Sequence, residues 1–148
     1  MPKTYTKLLT HVVFSTKERM PLIDADIKLR LHAYLGGIVR ELGGTALIIG
    51  GTNDHVHLLI GLPPTLALSD VVRTIKTNSS RWMHEQGKTE FEWQRGFGAF
   101  SVSSANLDAI KRYIANQEEH HQKTTFRDEF IDFLQRSETE FDEKYLWN

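Results

Sequence analysis

Two histidines separated by a single residue, His55 and His57, have the residue type and spacing to bind one metal ion. They lie in the stretch HVHLLIGL, residues 55–62, in which every even-numbered position is apolar. Because successive side chains of a strand point to opposite faces, the pattern predicts both imidazoles on one face and an apolar core on the other. Neutral imidazole is the commonest protein metal ligand, and the preceding Asp54 could orient one ring. The spacing by itself is a weak signal, since two polar side chains on a half-exposed strand would give the same pattern.

A second pair of residues with chemical potential is Tyr113 and Gln117, which lie four positions apart. The surrounding segment, NLDAIKRYIANQEEHHQ, has apolar side chains at helical spacing. Residues four apart on a helix lie one above the other, so we expect Tyr113 and Gln117 to project together. Lys111 and Arg112 flank the tyrosine and could hold a phosphate. The alternative is an amphipathic helix whose tyrosine lies at the edge of the core with its hydroxyl in water.

Together the two pairs suggest a catalytic metal site. Two imidazoles and the amide oxygen of Gln117 supply three ligands and leave positions open for a substrate. A tyrosine hydroxyl that attacks a phosphodiester forms a phosphotyrosine bond, which keeps the energy needed to rejoin the strand. The sequence contains no G-x-x-x-x-G-K-[ST] loop, so we expect no nucleotide cofactor. The neighbouring His120 and His121 are expected to face solvent.

The elements that must position these residues follow the order strand, helix, strand, strand, helix, strand, and then further helices. The predicted ranges are strands over 5–14, 45–51, 55–62 and 91–103, helices over 27–42, 69–87 and about 104–122, and an acidic helical segment from about 124 that ends in an aromatic cluster. This order predicts an α+β fold, an antiparallel sheet of about four to five strands with helices packed on one face, close to the split βαβ pattern. The face that carries the histidines is expected to be partly open.

Composition limits the kind of protein. A chain of 148 residues with 40% apolar side chains is expected to form a single domain over 1–148. The absence of cysteine excludes disulfides, a thiolate zinc site and a cysteine nucleophile, and it fits a reducing cytosol. No apolar stretch has the length of a membrane span, and the first residues do not resemble a signal peptide. We therefore expect a soluble, cytoplasmic protein without a membrane partner.

Any nucleic-acid site must be a local patch, because the net charge of the chain is only −1. The second predicted helix places Arg73, Lys76 and Arg81 away from its apolar stripe, where they could contact phosphates. A solvated helix face explains these residues equally well. The acidic segment near the C-terminus is not expected to contact DNA.

The sequence resembles, nearly end to end, the small single-tyrosine transposases of the HUH superfamily, a group that mobilises bacterial insertion sequences and includes the REP-associated tyrosine transposases. The resemblance rests on the segments HVVFSTKERMPLI, NDHVHLLIGLPP, SDVVRTIKTNSSRW, FEWQRGFGAFSVS and IKRYIANQ. Its most specific part is NDHVHLLI followed about 55 residues later by Y-x-x-x-Q. By this resemblance, the histidine–hydrophobic–histidine motif falls on His55, Val56 and His57, the nucleophile on Tyr113 and the third metal ligand on Gln117.

The resemblance also implies what the protein acts on. It implies the ferredoxin-like fold of HUH nucleases, a Mg²⁺ or Mn²⁺ cofactor, a 5′-phosphotyrosine intermediate, single-stranded DNA hairpins as substrate and a homodimer. In that dimer the tyrosine helix of one subunit could serve the histidines of the other. Ligand softness by itself would favour zinc or another late transition ion for two imidazoles. The alternatives are a domesticated nucleic-acid binding protein of the same fold without catalysis, and a metal-dependent hydrolase of small phosphoesters.

Overall fold

The computed structural model describes residues 3–142 and residue 146, and its centre is a four-stranded antiparallel sheet. The strands are β1 (Leu9–Ser15), β2 (Thr45–Gly51), β3 (His55–Gly61) and β4 (Gly98–Ser101). They lie in the order β2-β3-β1-β4, so β3 and β1 occupy the centre. β2 and β3 form the antiparallel hairpin expected from their closeness in sequence. This topology confirms the predicted α+β class with a split βαβ arrangement.

Five helices surround the sheet within the described residues. They are α1 (Lys28–Glu41), α2 (Leu68–Glu85), α3 (Leu107–Ala115), α4 (Gln117–His120) and α5 (Phe126–Arg136). None of the helices in the described part of the chain combines the length and apolar character needed to cross a membrane.

The main core lies between α1, α2 and one face of the sheet. The even-numbered side chains of β3, Val56, Leu58 and Ile60, are completely buried there. Leu35 of α1 and Ile75 of α2 pack into the same core. Burying such apolar side chains stabilises the fold by about 1.5–3 kcal/mol each. The apolar face of β3 is therefore covered by helices, and the opposite face is left for the histidines.

The expectation of a partly open second face is wrong, because α5 packs across it. Phe126, Phe130 and Leu134 of α5 form a second apolar cluster with Val13 of β1. Their spacing gives α5 an apolar stripe, and that stripe must be buried against another surface. The face that carries the histidines is consequently closed from water.

The predicted fourth strand is much shorter than the aromatic pattern of residues 91–103 suggests. Trp93 makes one isolated bridge with Thr16, and regular pairing begins only at Gly98. The indole of Trp93 donates a hydrogen bond to Ser79 Oγ (2.9 Å), and the side chain of Gln94 accepts one from the backbone of Ser15 (2.6 Å). These side-chain contacts take the place of a regular strand ladder.

Two other predicted boundaries differ from the structure. The first strand covers Leu9–Ser15 instead of residues 5–14, and the third predicted helix is interrupted at Asn116. At the interruption the side-chain amide of Gln117 donates to the backbone carbonyl of Tyr113 (3.4 Å). In the predicted C-terminal aromatic cluster, Tyr145 and Trp147 lie outside the described residues.

Candidate active site

His55 and His57 lie at the start of β3, on the face opposite α1 and α2, and both are completely buried. Their ring centroids are 5.1 Å apart. The alternation of β3 places both rings on this face, because the intervening Val56 points into the main core. The two imidazoles therefore face one space beneath the C-terminal helices.

The Nδ1 atom of each imidazole is held by a neighbouring polar group. His55 Nδ1 lies 2.7 Å from Asp54 Oδ1, in the turn that precedes β3. His57 Nδ1 lies 2.7 Å from Nε2 of His11, which is buried on the neighbouring strand β1. A hydrogen bond at one ring nitrogen fixes the orientation of a metal-binding imidazole. In this site the contacts at Nδ1 direct the Nε2 atoms of both rings toward the C-terminal helices.

The two inward Nε2 atoms meet side chains from the C-terminal helices. His55 Nε2 lies 2.9 Å from Oε1 of Gln117, which is 1% exposed at the start of α4. His57 Nε2 lies 2.8 Å from Oε1 of Glu129 on α5. The predicted ligands His55, His57 and Gln117 are therefore brought together in one chain.

Tyr113 reaches the same space from α3. Its hydroxyl donates a hydrogen bond to Oε2 of Glu129, and its ring centroid lies 5.7 Å from that of His57. Burial, and then the charge of Glu129, raise the pKa of Tyr113 above its ordinary value of 10. Near neutral pH the side chain is therefore a neutral phenol, and its use as a nucleophile requires a nearby positive charge.

A glycine on β2 allows α3 to approach the histidines. Gly50 pairs with His57 across the sheet, and α3 crosses directly over it. A Cβ at position 50 would lie 2.3 Å from the carbonyl oxygen of Ile114 and 2.9 Å from its Cγ2. Because Ile114 follows Tyr113 directly, this close approach of α3 to β2 holds Tyr113 near the histidines of the adjacent strand β3.

Gly50→Ala is therefore expected to displace α3 and to lower the free energy of unfolding by about 1–3 kcal/mol. The control is Gly37→Ala on α1, where no atom lies within 4 Å of the added Cβ and helix propensity should add about 0.5–1 kcal/mol. Urea unfolding of both variants measures the effect. Equal stability of the Gly50→Ala variant and the wild type would contradict the close contact.

Three residues of this site were not identified from the sequence: His11, His121 and Glu129. The alternation of β1 could have revealed His11, since Val12 belongs to the main core and its neighbours must face the other way. Glu129 could have been noticed as a carboxylate that shares the apolar stripe of α5 with Phe126 and Phe130. In the structure its side chain is only 4% exposed.

The prediction that His120 and His121 face solvent is wrong. Nε2 of each ring lies 3.1 Å from Oε2 of Glu129, and the side chain of His121 is only 10% exposed. A turn connects α4 to α5, and the His121 ring in this turn packs against His55, with the ring centroids 4.4 Å apart. These histidines therefore belong to the surroundings of the candidate site.

Burial controls ionisation within the site. Burial by itself would raise the pKa of Glu129, but polar contacts with His121 and His57 outweigh it and lower this pKa well below its ordinary range. Burial lowers the pKa of His57 to about 4 and that of His11 to about 3. Around neutral pH Glu129 is therefore a carboxylate, and His57 and His11 are neutral imidazoles. These are protonation states that bind metal ions.

The metal-free protein is expected to lose stability as the pH falls from about 6.5 to about 4. Burial also lowers the pKa of His32 to about 4, with a further contribution from Lys28. In this range the unfolded chain binds protons on His11, His32 and His57 that the folded chain does not accept. The free energy of unfolding should fall by up to about 1.4 kcal/mol per pH unit for each histidine.

Urea unfolding at pH 7.5 and pH 5, in the presence of a chelator, measures this dependence. The control is His32→Gln, because His32 lies outside the candidate ligands. His32 is one of the three histidines with a lowered pKa, so the substitution should remove about a third of the dependence of the unfolding free energy on pH. An unfolding free energy that is equal at the two pH values would contradict the lowered pKa values.

Three of the predicted DNA-binding residues, Arg73, Lys76 and Arg81, lie on α2, away from the histidines. Arg73 is exposed and forms a surface ion pair with Asp70 (2.7 Å). Lys76 donates hydrogen bonds to the carbonyl oxygens of Gln94 (2.9 Å) and Gly96 (2.6 Å), and burial lowers its pKa to about 8. Arg73 and Lys76 line a cleft of about 520 Å³, to which the exposed ring of Phe97 also contributes. Two of the three ammonium donors of Lys76 are thus used within the protein.

The other predicted DNA-binding residues differ in their distance from the tyrosine. Arg112 is exposed and lines a hollow of about 430 Å³ that Tyr113 also lines. Lys111 is partly buried and is not among the described residues that line this hollow. Arg81 is exposed on α2 and donates to Asn78 Oδ1 (3.2 Å). The structure thus brings Arg112 to the tyrosine and leaves Arg81 on a separate surface.

Comparison with known proteins agrees with this arrangement of residues. The family described as "Transposase IS200 like" matches residues 4–117. The chain belongs to this family. The matched segment of this IS200-like transposase contains His55, His57, Tyr113 and Gln117, and it ends before α5.

The transposase is also similar to curated relatives and to solved structures. It is 26% identical over 114 residues to the ISDra2 transposase TnpA of Deinococcus radiodurans, a match that covers 72% of this chain and 81% of the relative. The same identity over 114 residues relates it to the transposase of insertion sequence IS200 from Salmonella typhimurium, with 72% and 74% coverage. A crystal structure of a Deinococcus radiodurans R1 protein described as a transposase superimposes with a TM-score of 0.63 at 26% identity, covering 79% of this chain and 98% of that chain.

A second solved structure supports the fold alone. It is a REP-associated tyrosine transposase bound to a REP hairpin, which superimposes with a TM-score of 0.60 at 18% identity and covers 82% of this chain and 73% of that chain. The family match confirms the resemblance found in the sequence, and the two superpositions agree with the predicted fold.

Proposed function

We propose that this transposase cleaves and rejoins single-stranded DNA next to hairpin ends through a covalent 5′-phosphotyrosine intermediate on Tyr113. The observation that carries the proposal is the meeting of Tyr113 and Gln117 with His55 and His57 in one buried space, although the two pairs lie far apart in the sequence. The hydroxyl of Tyr113 contacts the buried carboxylate of Glu129 in this space, which differs from the alternative of a tyrosine at the edge of the core with its hydroxyl in water.

The reaction exchanges one phosphate ester for another. The oxygen of Tyr113 attacks the phosphorus of the scissile phosphodiester, the new bond forms to the 5′-phosphate, and the bond to the 3′-oxygen breaks. The phenolic proton is released to solvent as this bond forms, and Oε2 of Glu129, which accepts a hydrogen bond from the hydroxyl, orients it. The leaving 3′-oxygen takes up a proton from water. Rejoining reverses these steps with another 3′-hydroxyl as the attacking group.

The residues present fit the divalent cation that this chemistry requires. His55 and His57 direct Nε2 into the space that also receives Oε1 of Gln117. A bound Mg²⁺ or Mn²⁺ would supply Lewis acidity, polarising the non-bridging oxygens of the scissile phosphate. The protein would orient the ligands through Asp54 and His11, which hold the opposite ring nitrogens.

Hairpin DNA is proposed to contact the basic residues on two surfaces. Arg112, with Lys111 beside it, would hold the phosphate near Tyr113, and Arg73, Lys76 and Arg81 would contact the backbone of the hairpin. Because phosphate contacts release counterions, hairpin binding should weaken steeply as salt rises. Equal hairpin affinity at dilute and moderate ionic strength would contradict the proposed phosphate contacts.

The proposed assembly is a cytoplasmic homodimer, and the geometry of one chain favours a site formed within each subunit. Mixing a Tyr113→Phe variant with a His57→Ala variant tests this arrangement. A mixture that stays inactive is expected. Recovered cleavage in the mixture would instead indicate that the tyrosine of one subunit serves the histidines of the other.

A hairpin incubation and a diester assay together separate this proposal from its two competitors. Labelled single-stranded hairpin DNA is incubated with the protein in Mg²⁺ and in chelator, and a denaturing gel then detects covalent adducts. We expect a metal-dependent adduct. A domesticated binding protein would bind the hairpin in both conditions without an adduct. A hydrolase of small phosphoesters would cleave a chromogenic diester without needing Tyr113. Either result would contradict the proposed function.

A further inference from the structure

Glu129 occupies an unusual position for a carboxylate. It is 4% exposed and lies within the ring of imidazoles formed by His57, His120 and His121. Burying a charged group without compensation is costly, and such groups are found paired or bound to metal ions. Both Glu129 and His121 lie after residue 117, outside the segment that matches the transposase family. The family match therefore assigns them no role.

The geometry around Glu129 is that of a set of metal ligands. One donor atom from each of His55, His57, His121 and Glu129 lies within 4.8 Å of all the others. Oε1 of Glu129 is 2.8 Å from His57 Nε2 and 3.7 Å from His55 Nε2, and Oε2 is 3.1 Å from His121 Nε2. Ligands bound at about 2.0–2.2 Å from one ion are separated by roughly 3–3.5 Å. A single cation among these four side chains needs only small adjustments.

We propose that Glu129 and His121 bind the catalytic cation together with His55, His57 and Gln117. This inference rests on the proposed function and adds two ligands from the C-terminal part of the chain. Through Oε1, Glu129 binds the cation. Its other oxygen, Oε2, accepts the hydrogen bond from Tyr113. One carboxylate thereby fixes the nucleophile relative to the metal.

The added ligands change the expected metal preference. Three imidazoles and a carboxylate form a nitrogen-rich set, which suits Mn²⁺, Co²⁺ or Zn²⁺ better than Mg²⁺. The site should therefore bind transition ions without DNA. Mg²⁺ should bind weakly until phosphate oxygens of the substrate are present.

The test is direct titration of the metal-free full chain with Co²⁺, followed by its visible absorption, and with Mn²⁺ by calorimetry. Glu129→Gln should weaken binding of both ions by about 10–100-fold or more and change the Co²⁺ spectrum. The matched control is Asp132→Asn on the exposed side of the same helix, which should bind as the wild type does.

Several outcomes would overturn the inference. Wild-type affinity and spectrum in Glu129→Gln would show that the carboxylate is not a ligand. Tighter binding would show that Glu129 occupies the position of the cation. If Glu129→Gln fails to fold, His121→Gln gives the same readout and must also weaken binding. The His57→Ala variant tells a failure of this inference from a failure of the proposed function. Loss of Co²⁺ and Mn²⁺ binding in His57→Ala would leave the proposed function intact, whereas wild-type binding of these ions would contradict the histidine pair as ligands.

Discussion

Replacing Tyr113 with phenylalanine is expected to abolish the covalent protein–DNA adduct and to lower strand cleavage by about a thousandfold or more. The hydroxyl oxygen is the only atom removed, and it is the atom proposed to attack phosphorus. Hairpin affinity should stay near that of the wild type, since the ring remains in contact with His57 and His120. The measurement is a denaturing gel for the adduct and a filter-binding assay for the hairpin.

The structure supplies a control for this substitution. Removing the hydroxyl also leaves Oε2 of Glu129 without one hydrogen bond, so a change in folding must be separated from a loss of chemistry. Thermal unfolding of Tyr113→Phe should lie close to that of the wild type, because three other polar groups still contact this oxygen. An adduct recovered with the phenylalanine variant would reject Tyr113 as the nucleophile.

The sequence predicted best those parts of the fold that depend on local periodicity. The alternation of HVHLLIGL placed the two imidazoles on one face of β3 because each apolar neighbour had to enter the core. The spacing of Tyr113 and Gln117 similarly placed both side chains on one side of a helical segment. In both cases the decisive contacts lie within a few residues, so the pattern contains the information.

Contacts between distant segments could not be predicted in this way. His11 meets His57 across 46 positions, and Glu129 meets the same ring across 72. The spacing of each residue indicates which face of its element it occupies, but not that it meets His57. The short length of β4 also depends on contacts between distant segments. Hydrogen bonds of Trp93 and Gln94 with other elements replace the strand pairing that the local alternation predicts. Tertiary packing therefore decided the closed second face and the contacts that His11, His121 and Glu129 make in the candidate site.

Replacing His57 with alanine is expected to lower metal-dependent cleavage by about 100-fold or more and also to destabilise the fold. The loss of activity follows from the removal of one proposed ligand. The loss of stability follows because His57 joins His11 to Glu129, so its removal leaves a buried carboxylate with fewer partners. Leaving a buried carboxylate with one hydrogen-bond partner fewer costs about 1–3 kcal/mol or more.

The variant His11→Ala separates these two effects. It removes the hydrogen bond to Nδ1 of His57 and leaves all proposed ligands in place, so cleavage should fall by only about 10–100-fold. Higher Mn²⁺ concentration should restore much of this loss, because His57 still binds once the cation is present, whereas His57→Ala should recover little. Cleavage is measured across a Mn²⁺ titration at a temperature where both variants are folded. Full recovery of His57→Ala at high Mn²⁺ would show that this imidazole stabilises the fold without binding the cation.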